Sequence, residues 1–274
     1  MSNSSNLNGK VALITGASSG IGAACAARLV ASGWRVFAGV RSAGAAPRGS
    51  EEILFDVTRD DEIARAAERI DELDALVNNA GIAIAIPLEF IPIEELKRQL
   101  EVNEIGQVAV TQAFLPHLRR SRGRVVFVGS IAGRSALPFL GAYAASKHAL
   151  EALADTWRVE LRPFGIEVSL VEPGTIRTPI WTKSAALADS LANGAPPQLG
   201  ELYGKRVAAF GRVAAERGAK GASVEAVVDA VENALTRERP RTRRLVGRDA
   251  KIRSGIERLP DRLRDSVYER LLLR

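Results

Sequence analysis

Residues 10–22 read KVALITGASSGIG. The apolar run from Val11 to Ile14 is typical of a parallel strand that is covered on both faces. A glycine-rich turn follows, and a helical pattern then runs to Ser32, where Gly33 is suited to end the helix. Glycines let a backbone approach phosphates closely, and a helix N-terminus offers free N–H groups. The stretch therefore predicts a site for the pyrophosphate of a dinucleotide. The alternative is a glycine-rich turn that binds no ligand, because the spacing G-x-x-x-G-x-G differs from the commoner G-x-G-x-x-G.

The rest of the chain continues the alternation of strands and helices. Apolar patterns predict further strands at residues 35–40, 52–57, 75–78, 124–128, 166–171 and 244–246. Between them, helices are predicted at residues 59–72, 93–117, 142–161 and 223–236, followed by a terminal amphipathic helix that Pro260 interrupts. This alternation predicts a Rossmann-type doubly wound parallel sheet with three α/β/α layers.

We expect one domain over residues 1–274. Residues 9–180 would form the cofactor and catalytic core, and residues 222–274 a C-terminal helix, strand and tail. The pattern weakens from 181 to 221, a segment rich in Ala, Gly and Pro. We expect this segment to be a substrate loop or lid, because such segments often cover sites on rigid scaffolds.

The second strand ends in Gly39-Val40-Arg41, with no carboxylate. In dinucleotide-binding folds an acidic residue near this point holds the ribose hydroxyls, whereas an arginine accommodates the extra phosphate of NADP. Arg41 can pair with that phosphate, and a carboxylate would repel it. We therefore expect a preference for NADP(H), with NAD possible as well. The alternative is a solvated arginine at a strand end.

Composition excludes several classes of protein. Hydrophobic residues make up 46% of the 274 residues and charged residues 26%, which is ordinary for a soluble globular protein. The single cysteine, Cys25, fits a reducing compartment, and two histidines without a cysteine cluster leave almost no material for a zinc site. Residues 1–8 are polar and lack an apolar signal core, and no apolar run is long enough for a membrane span. We expect a cytoplasmic protein without a metal.

The net charge of +6 is concentrated in the C-terminal part of the chain. Lys and Arg clearly outnumber Asp and Glu from Lys205 onward. A basic surface can mark a nucleic-acid partner, but here basic residues alternate with acidic and apolar ones, and no motif for reading bases is present. We expect a solvated surface and no nucleic-acid partner.

Tyr143 and Lys147 are candidate reactive residues. They are four apart, so on a helix they lie on the same face one turn from each other. A tyrosine phenol titrates near ~10, and a neighbouring ammonium lowers that pKa by favouring the phenolate. Ser130 follows the fifth predicted strand, at the sheet edge where open α/β folds bind ligands. The spacing alone can arise by chance, so the other motifs decide its meaning.

At this point the sequence resembles the short-chain dehydrogenase/reductase family, in its single-domain branch. The resemblance covers residues 10–180 in the family's order. It is carried by residues 15–22, Asp56, residues 78–81, Asn103, Ser130, Tyr143 with Lys147, and Pro173-Gly174 with Thr178. Each motif alone is weak, but together at compatible spacing they are specific.

The resemblance implies a role for each matching residue. Tyr143 would be the acid/base, and Lys147 would lower its pKa and hold the nicotinamide ribose. Ser130 would hydrogen-bond the substrate oxygen, and Asn103 would position a water that links Lys147 to solvent. The cofactor would be bound by Gly16, Ser18, Ser19, Gly20, Ile21, Gly22, Arg41, Asp56, Val57, Asn79, Ala80, Gly81, Tyr143, Lys147, Pro173, Gly174, Ile176 and Thr178.

The resulting hypothesis is an NADP(H)-dependent oxidoreductase that interconverts an alcohol and a ketone or aldehyde. The segment after Thr178 is loosely similar to the steroid and retinol branch, which implies an apolar small-molecule substrate. The family also implies a homodimer or homotetramer. The alternative is a non-catalytic NADP(H)-binding sensor or scaffold. For the terminal amphipathic helix, a lid, an oligomer contact, a membrane-surface element and simple burial remain open.

Overall fold

The computed structural model describes residues 9–273, so the polar segment 1–8 lies outside the described residues. Its strands are β1 Val11–Thr15, β2 Arg35–Val40, β3 Glu51–Leu54, β4 Ala75–Asn78, β5 Arg124–Val128, β6 Glu167–Pro173 and β7 Arg243–Val246. Its α-helices are α1 Gly20–Ala31, α2 Asp60–Arg69, α3 Ile93–Leu100, α4 Gly106–Ser121, α5 Gly141–Glu160, α6 Pro179–Asn193, α7 Gln198–Ala219, α8 Val224–Thr236, α9 Arg248–Ile256 and α10 Asp261–Leu272.

The seven strands form one sheet in the order β3-β2-β1-β4-β5-β6-β7, and every pair of neighbours is parallel. Successive residues of a strand face opposite sides, so each strand contributes to two cores. Ala12 and Ile14 pack towards α1 and α8, whereas Leu13 packs with Phe114 of α4 and Leu150 of α5. The prediction of a three-layer doubly wound sheet is confirmed.

The strand order places the ligand site. The chain runs from β1 outward to β3 and then returns to the other side of β1 with β4. The loops that leave β1 and β4 therefore diverge and open a crevice at the carboxyl ends of these strands. The glycine-rich turn follows β1 and residues 79–81 follow β4, so both motifs lie at this switch point.

Three predicted boundaries are wrong. The third strand ends at Leu54, so Asp56 lies in the loop that follows. The helix predicted at residues 59–72 spans only Asp60–Arg69, and the amide and hydroxyl of Thr58 before it both donate to Oδ1 of Asp56. The sixth strand continues through Pro173, because its pairing with β7 extends to that residue.

The long helix predicted at residues 93–117 is interrupted in its middle. Helices α3 and α4 are joined by a π-helical turn at Glu101–Ile105, where the Gly106 N–H donates to the Glu101 carbonyl. Asn103 lies in this turn and is buried. Asn103 therefore lies at a local distortion of the helical path.

The C-terminal third differs most from the prediction. The expected loop at residues 181–221 consists mainly of α6 and α7, which are joined by a short connection. Pro260 separates α9 from α10 as expected, but Leu263 and Leu271 of the predicted apolar stripe are exposed. The side chains of α10 that are buried are Tyr268 and Leu272. Within residues 9–273, none of the helices combines the length and apolar character that crossing a membrane requires.

Candidate active site

Two cavities meet at the carboxyl edge of the sheet. The first runs along the switch point beside the glycine-rich turn, and the second has a volume of about 890 Å³ and lies under α6, α7 and α9. Six residues line both cavities, namely Ser130, Tyr143, Gly174, Ile176, Thr178 and Trp181. A ligand in one cavity would thus reach a ligand in the other beside the Ser130 and Tyr143 hydroxyls.

The glycine-rich turn is anchored to the loop after β4. The Thr15 hydroxyl accepts hydrogen bonds from the backbone N–H groups of Asn79 and Ala80, both at 3.0 Å. In return, Nδ2 of Asn79 donates to the carbonyls of Thr15 at 2.9 Å and Gly16 at 3.2 Å. Gly16 has a φ of +64°, a conformation that an L side chain rarely adopts. The side chain of Asn79 therefore holds the shape of the turn.

Close packing requires a glycine at position 22. A Cβ there would lie 2.5 Å from Nδ2 of Asn79 and 2.5 Å from the carbonyl oxygen of Gly16. Gly22 is buried behind the turn and does not line the first cavity. Gly22, which is predicted to bind the cofactor, therefore contributes by shaping the turn and does not form part of the cavity wall.

The structure brings the other predicted cofactor residues together. Those that line the first cavity are Gly16, Ser18, Ser19, Gly20, Ile21, Arg41, Asp56, Val57, Asn79, Ala80, Gly81, Tyr143, Lys147, Pro173, Gly174, Ile176 and Thr178. They come from the loops after β1, β2, β3, β4 and β6, from the end of β6, from the start of α1 and from α5. The cavity is also lined by Thr15, Phe55 and Lys183, which the sequence reasoning missed.

Arg41 and Asp56 face each other at the outer end of the first cavity. Arg41 Nη1 lies 3.6 Å from Asp56 Oδ2, and its side chain is 73% exposed. Burial raises the pKa of Asp56, but hydrogen bonds from Thr58 and the Arg41 cation outweigh it, so the pKa lies below its ordinary value. Arg41 is therefore a solvated cation beside the cavity, held near its wall by a carboxylate.

These donors suit a phosphorylated dinucleotide. Helix α1 begins at Gly20, and no acidic residue lies in its first turn to neutralise the N-terminal partial charge. The turn before it brings backbone amides to the cavity wall, where they suit a pyrophosphate. Arg41 at the outer end can pair with a further phosphate on the adenosine ribose.

Ser130 lies two residues after the end of β5 and caps a short 3₁₀ turn at Ile131–Gly133. Its Oγ accepts a hydrogen bond from the Ala132 N–H at 3.1 Å and lies 3.5 Å from the Pro173 carbonyl. These two contacts fix the hydroxyl between β5 and β6. The carboxyl ends of both strands therefore position the group that faces Tyr143.

Tyr143 and Lys147 lie on one face of α5, as their spacing predicts, and both are buried. Lys147 Nζ donates to the Val128 carbonyl at 3.0 Å and lies 5.9 Å from the centre of the Tyr143 ring. Burial lowers the pKa of Lys147 to about 8, because the charged ammonium loses solvation.

The expected lowering of the Tyr143 pKa is wrong in this structure. Burial raises the pKa of the phenol, and it outweighs the opposing effects of a hydrogen bond with Ser130 and of the Arg253 cation. Lys147 is not among the groups that shift it. Desolvation of the ring, which the four-residue spacing does not reveal, has the largest effect on this pKa.

Asn103 connects the π-helical turn to the loop after β4. Its Oδ1 accepts from the Ile82 N–H at 2.8 Å, and its Nδ2 donates to the Ile82 carbonyl at 2.9 Å and to Ser146 Oγ at 3.1 Å. Asn103 does not line either cavity. Its amide holds the wall next to α5, and its role towards a water stays a prediction.

The second cavity is mostly apolar. Its walls include Ile86, Leu137, Phe139, Leu140, Val207, Phe210, Val213 and Leu272. Trp181 packs edge-on against Tyr143, with ring centroids 6.3 Å apart. Arg253 of α9 also lines this cavity. The sequence reasoning missed Arg253, since it lies far from the family motifs along the chain.

The chain is similar to known oxidoreductases over most of its length. A family model described as short chain dehydrogenase matches residues 10–188. The chain is 35% identical to an NADPH-dependent 3-dehydrocapnine reductase of Ornithobacterium rhinotracheale, which covers 94% of this chain and 96% of that protein. It is 38% identical to the 17-beta-hydroxysteroid dehydrogenase type 6 of Homo sapiens, in a match that covers 97% of this chain and 90% of that protein.

Solved structures share the fold along the whole sheet. A short chain dehydrogenase from Burkholderia cenocepacia in complex with NADP matches with a TM-score of 0.75 and 30% identity, covering 98% of this chain and 99% of that one. A short chain dehydrogenase/reductase from Burkholderia phymatum in complex with NAD matches with a TM-score of 0.74 and 25% identity. This match covers 87% of this chain and 90% of that one.

Proposed function

Because the chain belongs to the short-chain dehydrogenase/reductase family, we propose that it is an NADP(H)-dependent oxidoreductase that interconverts an alcohol and a ketone or aldehyde. One observation carries this proposal: Ser130 and Tyr143 lie where the cavity beside the glycine-rich turn meets the large apolar cavity. A cofactor in the first cavity and a substrate in the second would meet at these two hydroxyls. When bound, the nicotinamide supplies or accepts the hydride.

Tyr143 would move the proton. In the direction of reduction its phenol donates a proton to the carbonyl oxygen, and in the other direction it accepts one from the alcohol. Ser130 would hold the same oxygen by a hydrogen bond, since Oγ is fixed between the ends of β5 and β6. The raised pKa of Tyr143 keeps the phenol protonated at neutral pH, which suits the donor role.

Lys147 would support Tyr143 from one helical turn away. Its ammonium is buried, with a pKa lowered to about 8, so it can exchange a proton near neutral pH. Its hydrogen bond to the Val128 carbonyl holds Nζ next to the wall of the cofactor cavity. We infer that Lys147 binds the cofactor ribose and returns protons to Tyr143.

The preference for NADP(H) would come from Arg41. Its guanidinium is exposed at the end of β2 and lines the cofactor cavity, where it can pair with the additional phosphate. Asp56, 3.6 Å away, orients it. The names of two matches agree with this preference, since one is an NADPH-dependent reductase and the other was solved with NADP.

We further propose an apolar substrate, because apolar side chains dominate the walls of the second cavity. A cytoplasmic location is supported by a single, buried cysteine. A homodimer or homotetramer rests on the family resemblance alone. Light scattering after size-exclusion chromatography of the full chain measures the subunit number, and a monomeric mass would overturn that part.

The Tyr143→Phe variant tests the reaction. It removes only the hydroxyl, so NADPH binding should stay within about threefold while turnover of ketones and aldehydes falls by roughly 10²–10⁴. Ketone reduction is measured through the loss of NADPH absorbance, and NADPH binding is measured through its fluorescence. Wild-type activity in the variant would show that Tyr143 is not the acid. NADPH binding without turnover of any carbonyl compound by the wild type would favour the sensor or scaffold.

A further inference from the structure

One cation stands out in the wall of the apolar cavity. Arg253 of α9 is partly buried and lines this cavity together with Tyr143. Burial lowers the pKa of its guanidinium, because the charge is partly removed from water. The Arg253 cation is also near enough to act on the phenol of Tyr143. A positive charge therefore lies in the same wall as the reacting phenol, in a cavity whose walls are mostly apolar.

Arg253 is held by hydrogen bonds to neutral groups. Its Nη2 donates to the Ser135 carbonyl at 2.8 Å and to Ser135 Oγ at 3.1 Å, and its Nε donates to the same Oγ at 3.2 Å. The Tyr268 hydroxyl, which also contacts Ser135 Oγ at 2.8 Å, favours the charged guanidinium through a further side-chain hydrogen bond. One side of the guanidinium fork is therefore anchored at Ser135, and Nη1 takes no part in these three bonds.

Comparable arginines of this protein pair with carboxylates. Arg134 forms a two-pronged ion pair with the fully buried Glu172, and Arg243 contacts Glu151 and Asp155. Within residues 9–273, Arg253 forms no such ion pair. Asp249 and Glu257 act on Arg253 from a distance and favour its charge, but burial outweighs them, so a ligand that supplies a negative charge would stabilise the guanidinium.

The nearby carboxylates are engaged elsewhere. Asp249 Oδ2 accepts the Thr175 N–H at 2.6 Å, and Glu257 accepts the Tyr268 hydroxyl and pairs with Arg264. The remaining charged side chains of the cavity wall are Arg177, Asp189 and Arg217. The wall thus holds three arginines against two aspartates, and the arginine near Tyr143 is Arg253.

We propose that the substrate is an amphiphile whose anionic group binds Arg253 while its apolar chain lies along α6 and α7. This inference rests on the proposed function and adds the substrate class to it. A planar carboxylate or a similar oxyanion can accept two hydrogen bonds from a guanidinium, which fixes the orientation of the carbonyl at Tyr143. Apolar walls such as Phe139, Val207 and Phe210 suit the chain of such a molecule.

The test compares two probes that differ only in charge, the keto acid 4-oxododecanoate and its methyl ester. Both are assayed with NADPH on the wild type, Arg253→Gln and the control Arg212→Gln. Arg212 is an exposed arginine of α7 outside the cavity wall, so its variant removes the same charge elsewhere. The wild type should prefer the acid about tenfold or more in kcat/KM.

Arg253→Gln should lower kcat/KM for the acid by about 10- to 100-fold, as expected for the loss of a charge-assisted hydrogen bond, and for the ester by less than about threefold. Arg212→Gln should change neither. Equal losses on acid and ester in Arg253→Gln would show that Arg253 only tethers Ser135, and a wild type that prefers the ester would also overturn the proposal.

A second measurement does not depend on turnover or on a folded variant. Dodecanoate and dodecanamide are compared as ligands of the wild type by titration calorimetry and by thermal shift. Dodecanoate should bind at least about tenfold more tightly, and equal affinity would overturn the proposal. If no ketone is reduced but dodecanoate still binds selectively, the proposed function fails while the anion site stands.

Discussion

Replacing Gly22 by alanine tests how the dinucleotide turn is built. The added Cβ would lie 2.5 Å from the Gly16 carbonyl oxygen and from Asn79 Nδ2, about 1 Å closer than a favourable contact. Because the Gly16 oxygen belongs to the backbone, the turn must shift, and Asn79 would lose its hydrogen bonds to Thr15 and Gly16. Gly22 itself does not line the cofactor cavity, so any effect on binding must pass through the shape of the turn.

The expected magnitude follows from these contacts. Overpacking costs about 1–3 kcal/mol, and two lost hydrogen bonds add about 1 kcal/mol each. The lower backbone entropy of unfolded alanine returns about 0.5–1 kcal/mol. The free energy of unfolding should therefore fall by about 3 kcal/mol, which lowers Tm by roughly 6–12 °C for a chain of this size.

Two assays measure the effect, calorimetry for Tm and fluorescence titration for NADPH affinity. Gly22→Ala should bind NADPH at least about tenfold more weakly, since displaced amides lose hydrogen bonds to phosphate. The matched control is Gly204→Ala in α7, where an added Cβ meets no atom within 4 Å. The control should bind NADPH normally and gain about 0.5–1 kcal/mol of stability. A Gly22→Ala protein with wild-type Tm and affinity would refute the reasoning.

Two further predictions concern charged groups. Arg41→Ala should raise the KM for NADPH by about 10- to 100-fold and change the KM for NADH by no more than about twofold, because only NADPH carries the extra phosphate. Steady-state assays with each cofactor measure both values. Equal effects on the two KM values would show that Arg41 does not contact the extra phosphate. Burial and the neighbouring Glu172 raise the pKa of Glu151 from 4.5 to about 7. Between these pH values the folded protein holds a proton that the unfolded chain has released, so the free energy of unfolding should fall as pH rises and level off above pH 7. The Glu151→Gln variant should lose about 1–2 kcal/mol less unfolding free energy between pH 5 and pH 8 than the wild type, after allowance for solvent screening. Urea unfolding at the two pH values measures this difference. A pH profile identical to that of the wild type would contradict the raised pKa of Glu151.

The fold could be predicted because its signals are local. The apolar runs of β1 and β5 and the glycine-rich turn each specify their own structure, and the parallel order follows from their alternation with helices. The resemblance to the family, which the matched relatives confirm, rests on the same local motifs. Tyr143 and Lys147 share one face of α5 because four-residue spacing on a helix requires it.

The remaining features depend on contacts between distant parts of the chain. Helices α6 and α7 are rich in alanine and glycine, so their apolar periodicity is weak, and their packing over the cavity could not be predicted from the segment alone. Arg253 reaches the cavity only because α9 packs beside Ser135. The pKa of Tyr143 depends on the burial of its ring in the folded protein, which no residue spacing reveals.

The transfer of hydride between cofactor and substrate is the central claim, and an isotope measurement tests it most directly. The protein is incubated with NADPH deuterated at C4 of the nicotinamide, in both stereochemical forms, and a panel of medium-chain ketones, aldehydes and steroid ketones. Mass spectrometry of the alcohols then locates the label. We predict one deuterium on the carbinol carbon from one of the two forms, and at least about 100-fold less labelled product with Tyr143→Phe. Product without deuterium from either form, or labelling that Tyr143→Phe leaves unchanged, would contradict the account.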